Sequence, residues 1–191
     1  MNVPERCFAF SLFCLGMAYG LFMPSLAFSQ AIINDLAAPQ SIIADPGYGY
    51  LVANANGDPG NRNNKGFISR LDLKGKLTNL RFIQGGNQTT ILNAPTGMVL
   101  VGETLYVADI DTIRGFARTT GQPTGSVSMA RYNCVSLTGL TANTTGQLFV
   151  SDTETNAIYQ IDPSKEFAVS LVIQDEALSN PRGIAINPRT K

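Results

Sequence analysis

The sequence predicts an all-β chain: a β-propeller of four-stranded antiparallel blades, with about three full blades and the start of a fourth. Three observations predict it. A short motif returns at a nearly fixed interval: Gly97, Gly139 and Gly183 stand 42 and 44 residues apart, and Asp109 and Asp152 stand 43 apart. Each return holds several short runs rich in Val, Ile, Leu and Tyr, divided by Gly-containing turns, as strands on a buried pleated surface require. None of these runs spaces its apolar residues near 3.6, so helical repeats of similar length do not fit, and several short strands per unit of about 43 residues is the pattern of propeller blades.

The clearest copy spans residues 93–121. Pro95-Thr96-Gly97 opens an apolar run over residues 98–101, Gly102-Glu103-Thr104 turns the chain, and a second run over residues 105–108 ends at Asp109. A third strand near residues 113–116, a Thr119-Thr120-Gly121 turn and a fourth strand over residues 125–129 complete the blade. The next copy starts at Leu137-Thr138-Gly139, turns at Thr145-Gly146, and runs through residues 148–152, 157–162 and 167–173. An earlier copy has Pro39-Gln40-Ser41, a strand over residues 50–54, and a hairpin of residues 67–73 and 77–83 about Lys74-Gly75-Lys76. Its Asn54 takes the place of Asp109 and Asp152. Residues 30–38 are expected as the outer strand of a blade completed from elsewhere, and Pro181-Arg182-Gly183 as the start of a fourth innermost strand.

Residues 1–29 read as a secretory signal. Glu5 and Arg6 precede a charge-free apolar run over residues 7–23, Pro24 breaks it, and Ala27-Phe28-Ser29 offers small residues to a signal peptidase. Cleavage after Ser29 leaves residues 30–191 as one partial propeller domain, secreted or periplasmic, with no membrane attachment; an uncleaved anchor is the alternative. Cys7 and Cys14 leave with the signal, so Cys134 stands alone, no internal disulfide forms, and packing must supply the stability. Cys134 reads as a small core residue in an apolar strand.

The chain has no histidine, which excludes Ser-His-Asp and Cys-His chemistry, a His general base and the usual His-containing zinc sites. Charge is balanced, 14 basic against 14 acidic residues, with no basic stripe, so nucleic acid is not an expected partner.

Pro-x-Gly, an apolar strand, a Gly turn, Leu105-Tyr106-Val107-Ala108-Asp109 and an Ile-x-x-x-Asp strand together resemble NHL repeats. They are similar to the wider senescence-marker-protein/gluconolactonase group of propellers, from Pro39 to the C-terminus. In such a propeller Asn54, Asp109 and Asp152 follow the second strand of each blade, near the central channel, with Gln40, Thr96 and Arg182 close by. Oxygen donors converging there would suit Ca²⁺; the competing reading has each Asp accept backbone N–H bonds in its own tight loop. The lactonase relatives carry a Glu just before a Gly-Pro at the first innermost strand. Here that segment is Leu36-Ala37-Ala38-Pro39, with no Glu. The insertion after Asn54 begins like an EF-hand loop, but Pro59 stands at the required Gly and Lys65 at the bidentate Glu. It is expected as a polar, mobile loop over the channel mouth. Asn87-Gln88-Thr89 and Asn143-Thr144-Thr145 are N-glycosylation sequons, meaningful only in a eukaryotic secretory route.

Two functions follow as expectations. One is an exported, non-catalytic binding or scaffold protein whose loop face takes a protein, peptide or glycan ligand. The other is a fragment of a metal-dependent lactonase-like hydrolase, with a divalent ion held by Asn54, Asp109 or Asp152. Three blades and a beginning would leave apolar blade faces open; a truncated frame is the expectation, with self-association through those faces as another way to cover them.

Overall fold

The computed structural model describes residues 33–58, 60–87 and 89–187, all within one compact unit that starts at Ala31. The signal expected at residues 1–29 lies outside the described residues. Among the described residues, twelve strands form three four-stranded sheets, each in chain order and antiparallel throughout. Blade 1 is β1 (Pro39–Asp45), β2 (Gly49–Asn54), β3 (Phe67–Leu71) and β4 (Leu77–Gln84). Blade 2 is β5 (Pro95–Val101), β6 (Thr104–Asp109), β7 (Thr112–Ala117) and β8 (Pro123–Ser128). Blade 3 is β9 (Leu137–Ala142), β10 (Leu148–Asp152), β11 (Ala157–Asp162) and β12 (Ala168–Gln174). The all-β partial propeller read from the repeat is the architecture observed.

Burial explains the composition of each strand. The second strands lie deep in the blades, and residues 51–54, 105–109 and 150–152 are buried on both faces, so their apolar runs are continuous rather than alternating. The outermost strands β8 and β12 are largely exposed. Two apolar clusters sit between the sheets. Leu51, Ala53, Ile68 and Ile83 of blade 1 meet Met98, Leu105, Val107 and Phe116 of blade 2. Tyr106, Ala108, Ile113 and Met129 meet Leu140, Leu148, Val150, Tyr159 and Ile161 of blade 3.

The inner strands approach closely where blades 2 and 3 meet, and residues 181–187 approach β9 as closely. A Cβ on Gly97 would lie 2.3 Å from the Thr138 carbonyl oxygen, and one on Gly139 would lie 2.4 Å from that of Arg182. Glycine is needed there for space, not for its φ range.

Three local expectations change. Residues 33–38 form no strand; Ala37 and Ala38 accept the backbone N–H bonds of Asn56 and Ala55, so they lead into β1 alongside the end of β2. Residues 181–187 lie beside β9 but form no strand; hydroxyls of Thr138, Ser151 and Thr153 hold the Pro181 and Arg182 carbonyls there. Cys134 is buried, but in the turn after a short 3₁₀ segment (Ala130–Tyr132), where burial pushes its thiol pKa up to about 12. Among the described residues, no helix is long and apolar enough to cross a membrane.

Candidate functional site

The three aligned polar residues occupy one structural role. Asn54, Asp109 and Asp152 are fully buried at the ends of β2, β6 and β10. Each accepts the backbone N–H of the residue two before its own blade's inner strand: Ala37 on Asn54 Oδ1 at 3.1 Å, Asn93 on Asp109 Oδ1 at 3.0 Å, Val135 on Asp152 Oδ2 at 2.7 Å. The carboxylates go further. Asp109 also receives Ala94 N–H at 2.8 Å and the Arg114 Nε at 2.6 Å, and Asp152 receives Ser136, Glu154 and Thr155 N–H groups. Chain that turns back into the blade leaves N–H groups without strand partners, and a buried carboxylate satisfies several together. The oxygens are thus engaged by protein donors. Among the described residues, no group of three or more acidic, His or Cys side chains is placed to hold a metal ion.

Gln40, Thr96 and Arg182 are the candidates that come together. They line one cavity of about 290 Å³ on the side of the propeller where the inner strands begin, with Thr138, Glu154 and Gly60. A second cavity of about 320 Å³ continues along the inner strands, again lined by Gln40, Thr96, Thr138 and Arg182. Asn54, Asp109 and Asp152 line neither; they stand behind it and hold its walls. Hydroxyls tie successive inner strands: Ser41 Oγ donates to the Thr96 carbonyl, Thr96 Oγ1 to the Leu137 carbonyl at 2.8 Å, and Thr138 Oγ1 to the Pro181 carbonyl at 3.2 Å. Arg182 and Glu154 are exposed, and among the described residues neither forms an ion pair.

The insertion does overhang the mouth, since Gly60 lines the cavity, but it is tied down. Arg62 makes a two-pronged pair with Asp111, at 3.1 and 2.8 Å, and Asn64 exchanges bonds with Asn93 and Leu92. The hydrogen bond from Arg62 holds the Asp111 carboxyl below its ordinary range. Sequence reading missed Thr138 and Glu154. Thr138 was within reach, because it repeats Thr96 one residue before the Gly; Glu154 sits two residues after Asp152, as Asp111 does after Asp109.

No family model and no curated protein matches the sequence. Solved structures do. A catalytically inactive virginiamycin B lyase from Staphylococcus aureus, with quinupristin, aligns at a TM-score of 0.56 and 14% identity over 80% of this chain and 46% of its own. A streptogramin B lyase aligns at a TM-score of 0.54 and 9% identity over the same shares of both chains. The chain therefore spans just under half the length of these neighbours. At such identity the likeness reaches the fold and not the NHL or gluconolactonase group: this chain is built as a β-propeller.

Proposed function

We propose that the chain is an exported, non-catalytic binding protein that takes a protein, peptide or glycan ligand at the cavity where its inner strands begin. The observation that carries this reading is the pair of exposed side chains without an ion-pair partner, Arg182 and Glu154, flanking a cavity whose walls mix the polar Gln40, Thr96, Ser136 and Thr138 with the apolar Ile110, Val135 and Leu137. A few placed polar groups over a concave site fix a ligand's orientation. Catalysis has little support. There is no histidine, and the oxygens of Asp109 and Asp152 brace backbone instead of facing the cavity. The lyase neighbours lend their fold, not their reaction.

The test is a panel of glycans and peptides offered to the protein, followed by calorimetry on any that bind. Arg182→Ala and Glu154→Ala should each weaken binding by about 1.4 kcal/mol or more, a factor of ten, without change in melting temperature. Binding indifferent to both substitutions would refute the site. Asp109→Ala and Asp152→Ala should cost about 1–3 kcal/mol of stability through unsatisfied N–H groups. Calcium-dependent ester hydrolysis lost in those two variants, with folding intact, would favour the hydrolase instead.

A further inference from the structure

We propose that the ligand of the inner-strand cavity is a short free peptide held through its charged ends, its carboxylate by Arg182 and its ammonium by Glu154. The inference rests on the binding role proposed above and names the class of molecule bound. Its main support is a pair of opposite charges that share a cavity without meeting. Arg182 and Glu154 both line it, both are exposed, and no ion pair joins them. At the offset of Glu154 one blade earlier, Asp111 is taken up by Arg62 at 2.8 Å. The counterparts of Arg182 at the other inner strands, Gln40, Thr96 and Thr138, carry no charge. One cation and one anion are therefore left open on the blade 3 side of the cavity, and a zwitterion can answer both. A guanidinium matches a carboxylate with two parallel hydrogen bonds, and capture of a peptide's charged ends is a recurrent mode of recognition.

The remaining walls favour a peptide over a glycan. Sugars present C–H faces that stack on aromatic rings, and hydroxyls in place of charge. Among the described residues, no Phe, Tyr or Trp lines this cavity or the one that continues it along the inner strands. Aliphatic surface stands there instead. Val135 is 56% exposed at the cavity, and Ile110 and Leu137 line it too, joined by the Leu137 N–H bond to the Ile110 carbonyl at 2.7 Å. Ile110 is the first of two residues turning β6 into β7, with φ +60°. Glycine suits that place, and a β-branched residue is strained in it. Ile110 nevertheless holds it, packing on Ala55 and Ala94 while it lines the cavity. At about 290 Å³ the cavity lies at the small end of ligand sites, with room for a short peptide and not for a domain.

The experiment is calorimetry of the full chain with the tripeptide Ala-Val-Ala, its N-acetylated and C-amidated forms, Ala-Gly-Ala, and the neutral trisaccharide maltotriose. Ala-Val-Ala should bind, and blocking either end should weaken it by at least about tenfold, because the site is then left with an unanswered charge. The variants assign each end. In Arg182→Gln the free and amidated peptides should bind alike, with the acetylated form still weaker. In Glu154→Gln the free and acetylated peptides should bind alike, with the amidated form still weaker. Val135→Ser should erase the preference for Ala-Val-Ala over Ala-Gly-Ala. All three positions are exposed, so the melting temperature should not move.

Four results would overturn the proposal: no binding of Ala-Val-Ala at about 1 mM, the weak end of specific recognition; blocked ends bound as well as free ones; every peptide weakened by one common factor in the variants, as a disturbed fold would give; or maltotriose bound more tightly than the peptide. In the last case, loss of maltotriose binding in Arg182→Ala and Glu154→Ala would keep the cavity as the binding site and reject only the peptide. Binding of either probe that is indifferent to both substitutions would reject the cavity as well.

Discussion

The two internal junctions have the same geometry and different chemistry. Between blades 1 and 2, the apolar seam is bracketed by ion pairs. Asp45, fully buried, accepts from Arg118 Nε across the junction at 2.6 Å and from Arg70 at 3.3 Å within its own blade. Arg118 also reaches the Pro46 carbonyl, while Arg70 bonds the Arg118 carbonyl and lies over the Phe82 ring at 3.8 Å. Arg62 and Asp111 close the opposite end of the same seam. Between blades 2 and 3, no ion pair crosses among the described residues; Gly97 lets the inner strands touch, Thr96 bonds the Leu137 carbonyl, and Tyr106 meets Phe167 edge-on at 6.3 Å. Close backbone approach gives one seam its grip, and guanidinium bridges give it to the other.

Breaking the first seam should have the largest effect. Asp45→Ala leaves two guanidinium groups around a buried gap, and the loss should be about 3–5 kcal/mol, read from urea denaturation. Leu148→Ala attacks the second seam by removing a fully buried side chain, at about 2–5 kcal/mol; a smaller loss than for an exposed leucine such as Leu73 would mean that blade 3 does not pack as described. Gly97→Ala should cost about 1–3 kcal/mol through overpacking, whereas Gly75→Ala, in an open turn with φ +77°, should show only backbone strain and no change at the seam.

The smallest effect sharpens the contrast. Arg62→Gln should cost about 0–1 kcal/mol, because the arginine of the pair is more than half exposed and water screens it. Its pH dependence has a definite sign. The folded Asp111 carboxyl titrates below its ordinary 3.8, so the pair's contribution is present above that value and disappears as pH falls through the depressed one. The difference between Arg62→Gln and the parent should therefore vanish in acid, in melting curves recorded from neutral pH downward. A difference that persists there would assign the effect to packing of the Arg62 stem.

What the sequence made legible follows from the repeat. Strand boundaries, blade count and the shared position of Asn54, Asp109 and Asp152 all recur, and recurrence is visible without coordinates. Asp45 was not legible. Its counterparts at that register are Val101 and Asn143, and its partner Arg118 lies 73 residues away, so neither spacing nor alignment singles it out. The lead-in before β1 was expected as the outer strand of a blade completed from elsewhere; beside the three blades described, residues 33–38 form no strand. Cys134, expected in an apolar strand, is a buried residue of the connection that precedes β9. Gln40, Thr96 and Arg182 line one cavity because they stand at one offset in their repeats, each directly after a proline.

The buried side chain at the end of each second strand also bears on the order in which the molecule assembles. Its bonds span 17 residues in blade 1, 15 in blade 2 and 17 in blade 3, short loops whose closure costs little entropy. Each inner hairpin can lock its own base before any neighbour is present, and structure built from local contacts forms quickly. The Arg118–Asp45 bridge, by contrast, waits for two finished blades to meet.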